Sequence, residues 1–438
     1  MITIDLVNDT GNKLILKYDQ HLGTLYNEDG SDYDLPPIEG VLDAHSAPLK
    51  EPDRRILRGE IGGRKSSDLS ILKIQLGLKC NYSCSYCLQA THIDDAANTG
   101  LGDAKLFLDK LDTWLTSAPK KIEFWGGEPL LYYKKLKYMV PLLRKKFPYA
   151  EMSMITNGSL LNDEVVDFLD EYKFGLAVSH DGPGQWMRGP DPFDDPVVAA
   201  AVVRLITEQP RTFSINSVIT KSTMDFRKSQ DWFDEKLGVP APLNMAEIIA
   251  FYDDETLEQH RFTADELSTM EDMLFYDIIA PDGTGLGPQG PMVEALKMFY
   301  NKKDSKYLGQ SCGMDRPDVM SCDLNGDIAT CQNVAPVKEH YVGSVYELDV
   351  AEVKSSTHWA NRDMCQECPV VQLCKGSCMF LHGEQFDASC ETSFAYNMAA
   401  LKAALYVITG HVTVAMHGNI IRPAPMVVKP KPQLIAVG

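Results

Sequence analysis

The sequence lacks the features of a membrane protein or a nucleic-acid-binding protein. No uncharged run is long enough to cross a bilayer, and the most apolar late stretch, 398–415, is interrupted by Lys402 and His411. Basic residues number 42 against 61 acids, so the net charge of -19 would repel a phosphate backbone. The chain also begins without the basic and apolar regions of a secretion signal. We therefore expect a cytoplasmic protein that binds neither membranes nor nucleic acids.

Cysteine, by contrast, is present in three spaced groups. The first group reads C-x3-C-x2-C, the second is more widely spaced, and the third reads C-x2-C-x5-C-x3-C with one further cysteine downstream. Because the cytosol keeps thiols reduced, clustered cysteines there are metal ligands or redox groups. Three thiolates in one place and eight in another indicate one iron–sulfur cluster with an open iron and two fully ligated ones. The eleven are Cys80, Cys84, Cys87, Cys312, Cys322, Cys331, Cys365, Cys368, Cys374, Cys378 and Cys390.

From residue 69 the pattern alternates between strands and helices. Strands alternating with helices predict a parallel sheet with right-handed crossovers. Functional loops at the carboxyl ends of such strands fit a full or partial barrel. We therefore predict an α/β fold, a partial (β/α)6 barrel similar to a TIM barrel. The six expected strands are 71–78, 121–125, 152–156, 174–179, 213–219 and 243–249.

The chain divides into five predicted segments. The first is β-rich, with a hairpin around residues 9–12 and a proline-rich linker, and it lacks the helices of a winged-helix peptide-recognition domain. The last contains a helix from about residue 393 to 408 and an extended tail. The segments are 1–68, the barrel core 69–250, a bridging region 251–311, a cysteine-rich domain 312–395, and the C-terminal helix and tail 396–438.

The first cysteine group follows directly on the first predicted strand. Its three thiols therefore lie in one loop at the carboxyl end of that strand. Three thiolates cannot saturate a four-iron cluster, so one iron stays open for a non-protein ligand. The alternative is a zinc site completed from elsewhere, for which His92 is close enough in sequence.

Two motifs together resemble the radical S-adenosylmethionine (SAM) superfamily: the loop 80–87, and Gly-Gly-Glu-Pro at 126–129 after the second strand. The resemblance implies that the first three cysteines hold the catalytic cluster and that Tyr86 packs near the adenine. Glycines permit close backbone approach, and a carboxylate accepts from an ammonium group. The groups implied to hold the methionine amino group are Gly126, Gly127 and Glu128.

Further strand ends supply the remaining SAM candidates. Residues 156–158 and 179–183 follow the third and fourth strands and resemble family motifs. The candidates for the methionine carboxylate and the ribose are Asn157, Ser179, Arg188 and, in the fifth strand, Asn216. Asp181 either faces the substrate or caps a turn, and His180 is interpreted as a packing residue.

The C-terminal cysteine spacing resembles the SPASM extension, which carries two auxiliary four-iron clusters in radical SAM enzymes that act on peptides and proteins. Two zinc sites are the alternative, since soft thiolates suit zinc too. The resemblance implies Cys312, Cys322, Cys331 and Cys378 for the nearer auxiliary cluster, and Cys365, Cys368, Cys374 and Cys390 for the farther one. Asn325-Gly326 predicts a two-residue hairpin, which would place Cys322 opposite Ala329 and Cys331 on the same face.

These resemblances imply a maturase of a ribosomally synthesised peptide. Its cofactors would be three [4Fe-4S] clusters, about 12 irons, and SAM. A 5′-deoxyadenosyl radical would take a hydrogen atom from a peptide C–H bond, leading to a carbon–carbon, thioether or ether crosslink. Full cysteine ligation of both auxiliary clusters favours electron transfer over substrate ligation. Alternatives are backbone excision or splicing, an anaerobic sulfatase-maturating enzyme, and a non-catalytic electron-transfer or zinc scaffold.

Three partners are expected. They are a precursor peptide, a separate small leader-peptide recognition protein, and a flavodoxin- or ferredoxin-type reductant. A basic patch on the second barrel helix is a solvated face or a docking site for the acidic reductant. The patch comprises Lys134, Lys135, Lys137, Arg144, Lys145 and Lys146. Sulfatase-maturating enzymes usually carry an aspartate where this chain has Gln332, directly after Cys331.

Overall fold

The computed structural model describes residues 1–38, 64–90, 94, 97–209, 212–280, 289–302, 304–354 and 356–422. Most of the predicted linker, His92 and residues 423–438 of the predicted tail, with its four prolines, lie outside these residues. Within them, no helix combines the length and apolar composition that a bilayer crossing needs.

The N-terminal segment forms the predicted hairpin and one further strand. The first two strands pair antiparallel, with Ile4 opposite Leu16. Their alternating burial places Ile2, Ile4 and Leu6 on one apolar face. The strands are β1 (Ile2–Val7), β2 (Lys13–Asp19) and β3 (Thr24–Asn27).

Six parallel strands in chain order form the centre of the fold, which confirms the predicted α/β architecture. Leu72 and Ile74 show the shared pattern: alternate side chains are fully buried against the helices. The strands are β4 (Ile71–Gln75), β5 (Lys121–Trp125), β6 (Glu151–Thr156), β7 (Phe174–Ser179), β8 (Phe213–Ile219) and β9 (Leu243–Ile248).

Helices alternate with these strands and have sequence-encoded ends. Asn162 and Asp225 accept hydrogen bonds from the first turns of their helices, and Gly238 ends one helix in the left-handed conformation. The helices of this half are α1 (Leu101–Asp109), α2 (Leu111–Trp114), α3 (Tyr133–Lys146), α4 (Asp163–Glu171), α5 (Pro196–Glu208), α6 (Phe226–Leu237), α7 (Asp254–His260), α8 (Ala264–Ile279) and α9 (Gln289–Asn301).

The cysteine-rich region extends the central sheet. Its first strand pairs parallel with β4, and two more strands follow antiparallel. The central sheet therefore has nine strands in the described residues. The last helix begins at Gly383, about ten residues before the predicted start. The elements are β10 (Val319–Asp323), β11 (Asp327–Ala329), β12 (Tyr341–Ser344), α10 (Asp363–Gln366), α11 (Val371–Cys374), α12 (Gly383–Thr409) and β13 (Val412–His417).

The N-terminal sheet packs on the cysteine-rich region. The late strand β13 pairs with β1, so the sheet order is β13-β1-β2-β3. Leu16 and Phe299 of α9 share one apolar core with Cys365 and Cys368. The buried Tyr18 hydroxyl donates to the carbonyl oxygen of Pro369 at 3.0 Å. The sequence pattern alone did not predict this covering role.

Candidate functional site

One cavity of roughly 1110 Å³ opens at the carboxyl ends of the barrel strands. It is lined both by the first cysteine group and by cysteines of the C-terminal region, although the two are more than two hundred residues apart in sequence. The predicted site residues along its wall are Cys80, Cys84, Cys87, Tyr86, Gly126, Gly127, Asn157, Ser179, Arg188, Cys312, Cys331, Cys374 and Cys378. Glu128, Asn216 and Cys322 are not among its lining residues.

The first cysteine group lies in the loop after β4, as its position in the sequence predicted. The backbone N–H of Cys87 donates to the carbonyl of Cys84 at 3.1 Å, and that of Tyr82 donates to Cys80 Sγ at 3.4 Å. These bonds curl the loop so that all three thiols face the cavity. Burial raises the pKa of the Cys84 thiol to about 11, and the nearby Arg188 opposes that rise.

Gly126 and Gly127 bring the end of β5 against the segment that enters the cysteine loop. The Gly127 N–H donates to the Gly77 carbonyl at 3.1 Å, and the Glu128 N–H donates to the Lys79 carbonyl at 3.0 Å. A β-carbon on Gly127 would lie 2.2 Å from the Leu78 carbonyl oxygen. Only glycine permits this approach. The glycines therefore position the residues that immediately precede Cys80.

The Glu128 carboxylate is fully buried and holds two strand ends together. Oε1 accepts from the N–H of Leu130 at 2.9 Å and from the Thr156 hydroxyl at 2.6 Å. Oε2 accepts from the N–H of Asn157 at 2.7 Å. Burial raises the pKa of this carboxyl group. Its side chain thus joins β5 to β6 behind the cavity, rather than forming the wall where the resemblance implied an amino group.

The other predicted SAM candidates divide into two sets. Asn157 and Ser179 line the cavity, and the Asn157 amide also donates to Asn81 in the cysteine loop at 2.9 Å. Asn216 instead bonds with its neighbours Ser214 and Asn244, at 3.2 and 3.3 Å. Ser179 and Asn157 therefore stay predictions for SAM contacts, whereas Asn216 lies outside the cavity wall.

Tyr86, Asp181 and Arg188 form a linked group at the cavity. The Tyr86 hydroxyl donates to Asp181 Oδ2, and Arg188 Nη1 donates to the Tyr86 oxygen at 3.0 Å. Asp181 is fully buried, and its Oδ1 accepts from the Val218 N–H at 3.1 Å. Sequence reasoning left Asp181 between a substrate role and a turn role. The geometry shows a third arrangement, in which it orients Tyr86 and Arg188.

His180 is placed as a packing residue, as the sequence interpretation held. Its ring stacks on Phe193 with centroids 4.3 Å apart, and Nε2 lies 3.0 Å from Asp191 Oδ1. Burial is the largest influence on its pKa, which is lowered. The side chain therefore supports the strand end beneath the cavity.

Four C-terminal cysteines line a second, small cavity: Cys365, Cys368, Cys374 and Cys390. These are the four that the resemblance assigned to the farther auxiliary cluster. Arg422 also lines this cavity, and its Nη1 donates to Cys390 Sγ at 3.5 Å while the guanidinium covers the Phe394 ring. Sequence reasoning missed Arg422 because no motif marks it.

The nearer set of C-terminal cysteines is incomplete. Cys312, Cys331 and Cys378 line the large cavity, and the Tyr252 hydroxyl lies 2.9 Å from Cys378 Sγ. Burial raises the pKa of Cys331 to about 12, and the thiols of Cys312 and Cys378 add to the rise. Cys322 is fully buried in the apolar core and does not line the cavity. Three thiols, not four, therefore gather here.

The predicted register of the β10–β11 hairpin was wrong by one residue. Cys322 pairs with Ile328, and Ser321 pairs with Ala329. The Asp323 side chain accepts from the N–H groups of Asn325 and Asp327, which lengthens the turn to three residues. A one-residue slip moves side chains to the opposite face of a strand.

The predicted basic patch on α3 was also partly wrong. Lys135 is buried, and its Nζ donates to the Leu76 carbonyl at 2.7 Å and to the Thr99 hydroxyl at 2.9 Å. Arg144 is turned to the carbonyl oxygens of Ala150 and Tyr172, each at 2.6 Å. These two cations hold the barrel together and are not part of one solvated surface.

The thiol arrangement can be compared with what an iron–sulfur cluster requires. Among the described residues, no three His, Cys, Asp or Glu side chains form a group that could hold a metal ion. The cysteines instead surround cavities, and thiolates around such a space are the ligands that iron–sulfur clusters take. The first group supplies the three thiols expected for the catalytic cluster, and the farther group supplies the four expected for its auxiliary cluster. The nearer group does not fit the expected four.

Comparison with known proteins now identifies the class. Residues 74–199 match the family model described as the Radical SAM superfamily, so this part of the chain is a radical SAM domain. Its cysteine-rich C-terminal region fits a SPASM domain. Both statements confirm the resemblance drawn from the motifs.

Two curated relatives and one solved structure are similar to the chain. The radical SAM cyclopropyl synthase TigE of Paramaledivibacter caminithermalis is 24% identical over 228 residues, which are 47% of this chain and 46% of that protein. The chain thus spans about half of TigE. A cysteine-type anaerobic sulfatase-maturating enzyme of Clostridium perfringens is 24% identical over 377 residues, 74% of this chain and 93% of that protein. The structure of native anSMEcpe with bound AdoMet and Cp18Cys peptide has a TM-score of 0.53 at 20% identity, over 78% and 99% of the two chains, and shows the shared fold.

Proposed function

We propose that this radical SAM enzyme is a maturase of a ribosomally synthesised peptide. With three [4Fe-4S] clusters and SAM bound, the site would supply a 5′-deoxyadenosyl radical that removes hydrogen from a peptide C–H bond, leading to a carbon–carbon, thioether or ether crosslink. The observation that supports the proposal most is the single cavity shared by the first cysteine group and the C-terminal cysteines.

The chain's own residues would bind and orient the reactants. Cys80, Cys84 and Cys87 are the proposed ligands of the catalytic cluster. The backbone at Gly126 and Gly127 offers a close approach to the methionine amino group. Arg188 retains an Nε–H without a partner in the described residues, so its guanidinium has a donor left for a carboxylate.

One of the proteins compared above also supports a peptide substrate, because anSMEcpe was solved with bound AdoMet and Cp18Cys peptide.

Sulfatase maturation is the second candidate, favoured by the likeness to the Clostridium perfringens enzyme along 93% of its length. The residue after Cys331 argues against it. Gln332 Oε1 accepts from Lys73 Nζ at 3.3 Å, and Lys73 also pairs with Glu123 at 3.3 Å. A carboxamide in this position cannot take a proton as an aspartate can.

The remaining elements of the proposal concern the cell. We place the enzyme in the cytoplasm, with a separate small protein that recognises the leader peptide and a flavodoxin- or ferredoxin-type reductant. Backbone excision or splicing of the peptide stays an alternative outcome of the same radical chemistry. A non-catalytic electron-transfer or zinc scaffold would have no use for the glycines that line the SAM side of the cavity.

Co-expression and mass spectrometry test this function. The chain is expressed anaerobically with each short open reading frame encoded beside its gene, and the peptide products are weighed and fragmented. A loss of about two hydrogens within one peptide supports crosslinking, whereas a shortened backbone supports excision. Oxidation of a sulfatase peptide alone would refute the maturase proposal. Reconstituted protein that releases no 5′-deoxyadenosine under reducing conditions would refute the radical chemistry.

A further inference from the structure

The loop 80–87 contacts the bridging region that lies between the barrel and the cysteine-rich region. His260 ends α7, and its Nε2 lies 3.0 Å from the hydroxyl oxygen of Ser85 in the loop. The same ring meets Tyr86 edge-on, with the two centroids 5.8 Å apart. One histidine therefore contacts two consecutive residues of the loop, although it is not among the residues that line the large cavity.

Arg261, the next residue, connects this contact to α12. Its guanidinium donates to Glu384 Oε1 at 3.0 Å and to Glu391 Oε2 at 3.3 Å. The side chains of Arg261 and Glu391 are only 8% and 12% exposed, so solvent weakens this ion pair far less than it weakens a pair on the surface. Glu391 directly follows Cys390 in α12. The end of α7 is thus fixed on the helix that carries this cysteine.

An apolar cluster completes the junction. It joins Tyr86 of the cysteine loop, Met187 of the loop after β7, Leu257 of α7 and Ala388 of α12. All four residues are buried. Close packing of this kind leaves little room for one element to move without its neighbours. The position of Tyr86 therefore depends on α7 and α12 as well as on its own loop.

We propose that His260 and Arg261 are a positioning pair for the SAM side of the cavity. His260 holds Ser85 and Tyr86, so that the Tyr86 hydroxyl stays directed at Asp181. Arg261 holds His260 in place by fixing the end of α7 on α12. Both residues act through Tyr86, and this inference rests on the proposed function for the contact between Tyr86 and SAM.

Ser85→Ala and His260→Phe test the pair in the reconstituted full-length protein. Each variant removes one end of the same hydrogen bond, and His260→Phe keeps an aromatic ring against Tyr86. Each is expected to weaken SAM binding about fivefold at unchanged iron content. The double variant is expected to bind SAM no more weakly than either single variant, because all three lack the same bond. Unchanged affinity in both single variants, or a loss of about 25-fold in the double variant, would overturn the inference.

Hydrogen–deuterium exchange gives a second readout that needs no bound SAM. The Ser85 N–H donates to the Met187 carbonyl at 2.9 Å, so its exchange rate reports how firmly the loop is held. We expect faster exchange over residues 82–87 in Ser85→Ala and in Arg261→Met, and a rate closer to that of the unmodified protein in Arg261→Lys. Ser85→Ala, a small change outside the apolar cluster, carries both measurements if His260→Phe does not fold.

Gln385→Ala is the matched control. Gln385 Nε2 donates to Asp254 Oδ1 at 3.3 Å, which joins the same two helices at the opposite end of α7. This variant is expected to leave the exchange of residues 82–87 unchanged. Equal acceleration in Gln385→Ala and Arg261→Met would contradict a specific role for the pair. Failure to modify any peptide, with SAM binding and exchange as expected, would refute the proposed function and leave this inference standing.

Discussion

Replacing Gly127 with alanine would add one methyl group where two backbone segments meet. The new carbon would lie 2.2 Å from the Leu78 carbonyl oxygen and 2.5 Å from that of Lys79, whereas ordinary contact begins at 3.4 Å. The end of β5 and the entry to the cysteine loop must therefore separate by about 1 Å, the difference between 3.4 and 2.2 Å. Neither obstacle is a flexible side chain, so the backbone itself has to move.

The energetic cost follows from the contacts that this movement disturbs. Overpacking costs about 1–3 kcal/mol. The hydrogen bonds from the N–H groups of Gly127 and Glu128 would also stretch, at about 1 kcal/mol each. The sum of about 3–5 kcal/mol lowers the thermal midpoint by roughly 5 °C or more. Because Cys80 follows the displaced segment, we expect Gly127→Ala to lose about four irons per chain.

Gly102→Ala is the matched control. Gly102 lies in α1, and a β-carbon there meets nothing within 4 Å. Alanine favours a helix over glycine by about 1 kcal/mol, so this variant is expected to keep its iron and to show an equal or slightly higher midpoint. Iron analysis and thermal unfolding of the reconstituted proteins decide the matter. Gly127→Ala with full iron and an unchanged midpoint would refute the close-approach argument.

Three further predictions concern side chains that the structure shows in contact with backbone or thiols. Lys135→Met removes the ammonium donor of the Leu76 carbonyl, which keeps only the longer bond from the Thr99 hydroxyl at 3.4 Å, and is expected to cost about 1–3 kcal/mol in unfolding measurements. Tyr252→Phe removes the hydroxyl near Cys378 and is expected to change the spectrum of one auxiliary cluster at constant iron content. Arg422→Gln removes a cation from Cys390 and is expected to lower the reduction potential of the farther cluster, measured electrochemically, because nearby charge and hydrogen bonds to sulfur set that potential.

Each of these predictions has a contrary result. Lys145→Met, on the same helix at an exposed position, is the control for Lys135, and equal stability losses in the two variants would contradict the buried-donor argument. Loss of iron from Tyr252→Phe would mean that the phenol itself binds iron, and does not merely contact the Cys378 thiol. An unchanged reduction potential in Arg422→Gln would show that the charge of the guanidinium does not affect the farther cluster.

Local patterns predicted the barrel well, because each strand and helix is set by nearby residues. Alternating apolar residues placed β5, β7 and β8 at their observed bounds. The cavity-lining cysteines and glycines were also predicted, because loops that follow parallel strands all lie at the carboxyl-end edge of the sheet. Glu128 was not, because its side chain could turn to the cavity or to Thr156, and only the neighbouring strand end decides.

Long-range pairing and turn length account for the rest. The pairing of β13 with β1 could not be predicted locally, because the residues of Val412–His417 do not indicate which strand they pair with. The length of the turn after β10 depends on whether the Asp323 side chain accepts hydrogen bonds from the N–H groups of Asn325 and Asp327. The Asn325-Gly326 dipeptide alone does not determine this. Because that choice shifts the register, it also decided which side of the sheet Cys322 occupies.

The antiparallel contact between β1 and β13 has a consequence for the order of folding. Thr3 pairs with His417, about 400 residues later, so β1 cannot have both of its neighbouring strands until β13 has been made. Contacts so distant in sequence form late and slowly. The N-terminal sheet also shares an apolar core with Cys365 and Cys368. In the proposed enzyme, iron would therefore reach the farther cluster after translation of β13, when the sheet that covers its ligands can close.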